Sequence, residues 1–276
     1  MDCLYHIDRF PSTSTPDTLV IITHHHQDHI QGKKKSFLGK IITSPMTDKL
    51  LQLPNTIPLP YFQTYETPDL TIQLIPNHHC AGSVGVIIHD KHSQQTIGYT
   101  GDFRIWDTTP EAIQRYAQHF NQCNTIYYDD SFRDNRVYSS IPTLYDTQKQ
   151  LREFIQKSDK PIYIHINRTG IELLLKPWMN ELSVSFHRSL SPAMKQILPI
   201  LFPPNTCQGP HQIVFCNDKN LATIVPECTA CYLKQCGNFP ICFHNTPQEL
   251  DTFLNTFPKS IQLRPCGYHI PLTRPS

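Results

Sequence analysis

The chain has 276 residues, 17% of them charged, and a formal net charge of +1. That length allows one large or two modest domains. From the near-neutral balance no broad basic face can be inferred, so any phosphate-binding surface must be local. The opening residues do not read as a signal peptide. The longest apolar stretch, near 197–202, is interrupted by Pro199 and is too short to span a bilayer.

Taken in chain order, short β-branched and apolar runs predict buried strands at 19–22, 40–42, 71–75, 84–88 and 95–99. A Ser-Pro start predicts a helix over 44–53, and Pro110 opens a second over 109–120. A strand at 126–128 leads to Asp129. An apolar stripe predicts a helix over 144–157, followed by a strand at 161–166 and a helix from Gly170 to about Leu182. Strand patterns recur at 183–186, 212–215 and 240–243, and a last helix is expected over 247–257.

The run Thr23-His24-His25-His26-Gln27-Asp28-His29 follows the first of these strands. Imidazole and carboxylate at this density suit zinc, with manganese or iron a poorer match. The competing reading is a solvated histidine-rich turn in a chain with fifteen histidines. Two later segments favour the metal. His79 lies in a loop with a glycine that permits a tight turn, and Asp102 sits at a strand tip after Gly101. Strand ends running into loops are where chemistry is often placed.

The same segments resemble the metallo-β-lactamase superfamily, whose signature H-x-H-x-D-H is met by His24, His26, Asp28 and His29. Within it the chain is most similar to the β-CASP nucleases, and among these to the SNM1/Pso2/Artemis DNA nucleases. The motifs H-I-D-R-F (6–10), I-T-S-P-M-T-D-K-L-L (42–51), H-C-A-G-S-V (79–84) and Y-T-G-D-F-R (99–104) carry this resemblance. Y-D-D-S-F (128–132) and H-N-T-P-Q-E-L (244–250) are looser matches to later markers. The marker that separates DNA-acting from RNA-acting members falls nearest Gly267 and matches neither. A preference for DNA therefore rests on the other motifs.

The resemblance implies an α/β fold: a metallo-β-lactamase αββα sandwich with an inserted, shortened β-CASP cap. The catalytic domain would comprise 1–130 and 238–276, and the cap 131–237. It implies a metal-dependent DNA nuclease with one or two Zn²⁺ ions, or Mg²⁺ or Mn²⁺ in activity. His24, His26 and His79 would hold one ion. Asp28, His29 and His244 would hold the other, and Asp102 would bridge them. Asp129 would orient a ligand histidine, and Asp28, Asp102, Asp129 and His244 are the catalytic candidates. The expected partner is DNA, single-stranded or with overhangs or hairpins, in preference to RNA, with no membrane. The expected compartment is the nucleus. An RNA-processing nuclease, a small-molecule hydrolase of the parent superfamily and a non-catalytic repair scaffold are the alternatives.

Further residues carry weaker signals. Asp8 is either a partner of the site or a structural residue, and Arg104 would pair with a carboxylate or touch substrate phosphate. Lys33, Lys34 and Lys35 follow the histidine run, and they form either a phosphate-attracting group or a solvated turn. Trp106 and Trp178 suit packing or base stacking equally. Six of the ten cysteines lie between Cys207 and Cys242, and Cys228 and Cys231 have zinc-finger spacing. The resemblance suggests a structural zinc in the cap on His187, Cys216 and one of Cys228 or Cys231, against buried free cysteines. Disulfides would require an oxidising compartment, whereas an intact metal-site pattern favours a reducing one.

Overall fold

The computed structural model describes residues 5–103, 110–130, 144–166, 169–170, 172–218, 220–222 and 247–265. Arg104, Trp106, Cys228, Cys231, His244, Gly267 and the strand expected at 240–243 lie outside these residues. The chain divides into two compact units, Met1–Asp134 with Pro247–Ser276, and Asn135–Thr246.

The first unit is an α/β structure built on two sheets. Strands β1 (His6–Ile7), β2 (Leu19–Ile21), β3 (Lys40–Thr43) and β4 (Thr56–Pro58) form an all-parallel sheet in that order. The other sheet holds β5 (Thr64–Glu66), β6 (Leu70–Pro76), β7 (Val84–Asp90), β8 (Gln95–Tyr99), β9 (Thr125–Tyr128) and the last strand of the chain, β13 (Gln262–Pro265). Their spatial order is β13-β9-β8-β7-β6-β5. Pairing is antiparallel from β5 to β8 and parallel across β8-β9 and β9-β13.

Alternation along the strands explains the layering. In β2, Leu19 and Ile21 turn into a core shared with Ile72, Leu74, Val86 and Ile88 of the second sheet. Val20 and the following Ile22 turn the other way, onto Phe10, Phe37 and Leu51. The second sheet likewise has an outer core, where Ile75, Ile87 and Ile126 meet Ile113 and Phe120, together with Phe253. Burial of each such side chain contributes roughly 1.5–3 kcal/mol. Helix α1 (Pro45–Leu51) brings Leu51 to one outer core. Helices α2 (Pro110–Gln118) and α6 (Pro247–Leu254) serve the other. The start of α1 follows from its sequence: Ser44 Oγ accepts from the Thr47 amide at 3.2 Å, and Pro45 occupies the first turn.

The second unit contains α3 (Leu144–Gln156), β10 (Ile162–His165), α4 (Glu172–Leu175), β11 (Leu182–Phe186), α5 (Pro192–Leu201) and β12 (His211–Cys216). Its sheet is parallel in the order β10-β12-β11. The single helix expected from Gly170 to Leu182 is not one element. It is a four-residue α4 followed by a 3-10 segment at Lys176–Glu181, with Trp178 at φ −130°, ψ 26°. Pro177 disfavours α-helical geometry at Lys176 and supplies no N–H, so the α-helical ladder ends there. Trp178 is a packing residue, buried with its indole N–H on the Leu174 carbonyl at 3.0 Å. Among the described residues no helix is long and apolar enough to cross a membrane.

Two close approaches tie the fold to the functional edge. The Val84 amide donates to the Thr23 carbonyl at 3.0 Å, joining the two sheets where β2 ends. Gly101 has φ +60°, and a Cβ there would lie 2.9 Å from the Val84 carbonyl oxygen and 3.2 Å from Thr23 Cβ. A side chain is thus refused both by the left-handed backbone and by the neighbouring strand. Gly101→Ala is expected to lower stability by about 1–3 kcal/mol, read as a fall in the urea midpoint. An unchanged midpoint would show that the approach relaxes freely.

Candidate metal centre

Three strand ends of the first unit deliver the side chains of one buried cluster. β2 runs on through Ile22 into Thr23 and His24, after which the chain turns, with the His29 amide bonded to the His26 carbonyl at 3.0 Å. β6 runs on into Asn77, His78 and His79. β8 runs on through Thr100 and Gly101 to Asp102. Asn77, fully buried, braces the last two. Its Nδ2 donates to the carbonyls of Thr100 at 2.8 Å and Asp102 at 3.0 Å, while its Oδ1 accepts from the His79 amide at 3.4 Å. The His79 loop closes on Gly82, at φ +84°, whose Cβ would lie 2.9 Å from Met46 Cβ and from the Thr47 amide.

Five side chains converge as two overlapping groups, His24 with His26 and His79, and His24 with His29 and Asp102. Within each, one ligand atom per residue lies within 4.8 Å of the others. His26 Nδ1 is 3.0 Å from His24 Nε2 and 3.2 Å from His79 Nε2. Asp102 faces both groups. Its Oδ2 is 3.7 Å from His79 Nε2 and 4.0 Å from His24 Nε2, and its Oδ1 is 3.3 Å from His29 Nε2.

Hydrogen bonding sets which ring nitrogens face inward. The Asp8 carboxylate accepts from the Thr23 amide through Oδ1 at 2.7 Å, and from the Thr23 hydroxyl through Oδ2 at 2.7 Å. With its hydrogen given to Asp8, Thr23 Oγ1 can only accept at His24 Nδ1, 3.0 Å away. His24 therefore carries its proton on Nδ1 and presents the Nε2 lone pair. Asp8 Oδ2 also accepts from His29 Nδ1 at 2.8 Å, leaving His29 Nε2 directed to the site. One carboxylate thus orients two imidazoles, the way a ligand histidine is commonly fixed.

The electrostatics match a cation. Burial pushes His24 well below the usual imidazole range, and the surrounding histidines His29, His26, His79 and His25 push it further, so it stays neutral. His29 is the reverse. Burial opposes its charge, but Asp102 and Asp8 outweigh burial and raise it well above the usual range. An environment that holds positive charge at this ring also favours a metal ion at Nε2, which is buried without a well-aligned hydrogen-bond partner. Nitrogens about 2.0–2.1 Å from a tetrahedral zinc stand about 3.3 Å apart. The 3.0 and 3.2 Å separations around His26 are close to that edge. The donor set and the orphaned nitrogen fit divalent zinc.

The remaining candidates are placed as follows. Asp28 is half-exposed, with Oδ2 3.7 Å from His29 Nε2, and belongs to neither group. His25 is held at a pKa of about 4, first by burial and then by Lys33, and is in neither group. Lys34 donates to the Ser12 carbonyl at 2.7 Å, while Lys33 and Lys35 are exposed. The Asp129 amide donates to Thr100 Oγ1 at 3.2 Å. In the second unit, His187 Nδ1 is 2.9 Å from Ser189 Oγ, and the Cys216 thiol, pushed up by burial, lies 3.6 Å from the Asp218 carbonyl. Neither joins a metal-type group among the described residues. The sequence does not show the roles of Thr23 and Asn77, since each links a neighbouring histidine to a residue distant in the chain, Asp8 for Thr23 and Asp102 for Asn77. Asp8 was singled out only by the motif around it.

An α/β structure with this His/Asp cluster is consistent with the metallo-β-lactamase superfamily and supports a metal-dependent hydrolase in general terms. No family model matches the chain. It is distantly homologous to the Artemis and Apollo proteins. It is 25% identical over 233 residues to the protein artemis of Gallus gallus, covering 71% of this chain and 32% of that protein. It is 25% identical over 218 residues to its counterpart in Homo sapiens, covering 66% and 31%. To the 5′ exonuclease Apollo of Gallus gallus it is 25% identical over 165 residues, covering 57% and 35%. The matches span about a third of the length of these relatives. Among solved structures, a protein of unknown function from Enterococcus faecalis V583 aligns with a TM-score of 0.48 at 16% identity, covering 91% of this chain and 70% of that one.

Removing the acceptor shared by Thr23 and His29 tests the tautomer argument. Asp8→Asn replaces one acceptor oxygen with a donor, and is expected to weaken zinc binding roughly 10- to 100-fold, measured by chelator competition. An affinity equal to wild type would show that Asp8 does not orient the ligands.

Proposed function

We propose that this chain is a metal-dependent nuclease that hydrolyses phosphodiester bonds, and that its substrate is DNA. The observation that carries the reading is the convergence of His24, His26 and His79 nitrogens at zinc-like separations, with Asp102 turned to both this group and His29. Distant homology to Artemis and to an enzyme named as a 5′ exonuclease supports it. The reading includes the αββα sandwich and β-CASP cap of that family, His244 as a further ligand, a structural zinc in the second unit, and a nuclear location.

A divalent ion at such a site supplies a Lewis acid that activates water and neutralises charge on phosphoryl oxygens. The chain's own residues do the rest. His24, His26 and His79 would hold the ion, through His24 Nε2, His26 Nδ1 and His79 Nε2. Asp102 spans the two groups, so its carboxylate fixes their spacing. Asp8 and Thr23 keep the His24 tautomer, so no proton must leave His24 Nε2 when an ion binds, whereas His29, raised by Asp102 and Asp8, would give up its Nε2 proton to serve as a ligand. Asp28, beside His29 and half-exposed, lies where a water or a substrate oxygen can reach it. Exposed Lys33 and Lys35 add local positive charge to a nearly neutral chain, where they attract a polyanion at low salt.

The test is cleavage of end-labelled single-stranded, hairpin and overhang DNA, and of matched RNA, in Zn²⁺, Mg²⁺ or Mn²⁺. Wild type should cleave DNA faster than RNA, and Asp102→Ala should lower the rate by at least about 100-fold, as loss of a charge-stabilising group does. Faster cleavage of RNA would replace the substrate in this reading. Equal rates for wild type and Asp102→Ala would refute the site.

A further inference from the structure

Where β3 runs into α1, the hydroxyls of Thr43, Ser44 and Thr47 crowd together, and all three residues are fully buried. A buried hydroxyl costs stability unless it is hydrogen-bonded, so the partner of each one is informative. Thr43 Oγ1 donates to the Ile22 carbonyl at 2.7 Å. Ile22 lies on the run-on of β2, just before Thr23 and His24. Ser44 Oγ donates to the Gly82 carbonyl at 2.5 Å, and Thr47 Oγ1 donates to the same oxygen at 3.0 Å. A carbonyl has two lone pairs, so it accommodates both donors. Gly82 lies in the loop that carries His79. One short segment thus holds the His24 strand with one hydroxyl and the His79 loop with two.

Neither grip ends at the carbonyl. The Ile22 amide donates to the Ile42 carbonyl at 2.9 Å, so Ile22 is fixed to β3 from both sides of its backbone. In the loop, the Ser83 amide and hydroxyl both donate to the Cys80 carbonyl, at 3.0 and 2.8 Å, and Ser83 Oγ accepts from the Cys80 amide at 3.0 Å. Those bonds close residues 80–83 into one tight turn. Holding Gly82 therefore holds Cys80, which is joined directly to His79. Gly82 also suits the grip, because a Cβ there would lie 2.9 Å from Thr47 Oγ1 and push the loop off α1. What is fixed in this way is the gap between two donors. The His24 and His79 ring centroids stand 4.9 Å apart, and His26 Nδ1 meets both Nε2 atoms across that gap, at 3.0 and 3.2 Å. A zinc site tolerates only a few tenths of an ångström of error in such spacing.

We infer that Thr43, Ser44 and Thr47 are positioning residues of the metal centre, a hydroxyl bracket that sets the separation of His24 from His79. The inference rests on the metal ion of the reading above and is independent of the substrate. Each of the three acts through a backbone carbonyl of a ligand-bearing segment, and none supplies a ligand. The work at the site is thereby divided. Asp8 and Thr23 decide which ring nitrogen of His24 faces the ion, and the bracket decides how far apart the nitrogens stand. Deleting a hydroxyl while keeping its shape frees the strand or the loop to drift, and zinc is then held less tightly.

The test measures zinc affinity of the full chain by chelator competition, and the visible spectrum of the Co²⁺-loaded chain, which reports ligand geometry. Thr43→Val and Thr47→Val each delete one hydroxyl and keep the branched shape, whereas Thr43→Ser and Thr47→Ser keep the hydroxyl. Ile126→Val, in the outer core of the second sheet, is the control for lost stability alone. Each valine variant should bind zinc about tenfold more weakly than wild type, with an altered Co²⁺ spectrum. Both serine variants should match wild type, and Ile126→Val should bind zinc as tightly as wild type while melting lower. Wild-type affinity and spectrum in both valine variants would overturn the bracket and leave the metal centre standing. So would an equal loss of zinc affinity in Ile126→Val. If one valine variant does not fold, the other decides by the same criteria. If wild type itself binds no zinc, the metal reading fails and the bracket falls with it.

Discussion

The Asp8 carboxylate is the interaction on which the site depends. It lies on a residue with φ +52°, just past β1, and accepts from the Thr23 amide, the Thr23 hydroxyl and His29 Nδ1. An acceptor shared by three donors decides more than position. It settles the hydroxyl hydrogen of Thr23, and through it the proton of His24. The lone pair on His24 is then directed inward before any ion arrives, while His29 is held through Nδ1 with Nε2 facing the site, its proton favoured by Asp102 and Asp8. That preorganisation requires β1 beside β2, which in turn requires the parallel pairing of Ile7 with Ile21 and the core beneath them.

The centre also shows how two sheets can be held in register at one edge. The Val84 amide on the Thr23 carbonyl crosses between them, and Gly101 fits where no side chain could. Asn77 then links the His79 loop to the Asp102 turn through three hydrogen bonds. None of these groups is a metal donor. Each fixes the distance between donors, and a metal site tolerates only a few tenths of an ångström of error in that distance. The cost of crowding neutral and charged groups together is met by the surrounding apolar cores, which the alternation of β2 feeds on both faces.

The elements with strong patterns were legible from the sequence, and those without were not. The strand at 95–99 has the bounds expected of it, and α1 begins at the cap that Ser44-Pro45 announces. Four strands gave no usable signal: β1, β4, β5 and β13 have two to four residues each. Unlike β2 and β3, which are as short but buried and β-branched, the last three are half-buried or exposed and lack an apolar run, so their pairing comes from neighbours. The single helix expected from Gly170 to Leu182 breaks at Lys176-Pro177, where the proline disfavours the α-helical backbone.

By itself the sequence determined the donor inventory: a dense His/Asp run after a strand, a later histidine beside a glycine turn, and an aspartate at a strand tip. Those are local facts, because residue type and short spacing dictate what chemistry is available. Only the tertiary structure decided which donors meet. It grouped His24, His26 and His79 on one side and His24, His29 and Asp102 on the other, and it kept Asp28 at the rim. It also made Asp8 the orienting carboxylate. The reason is physical. A metal site and its supports are defined by separations of a few ångströms between residues far apart in the chain, and only the packing of the sheets sets those separations.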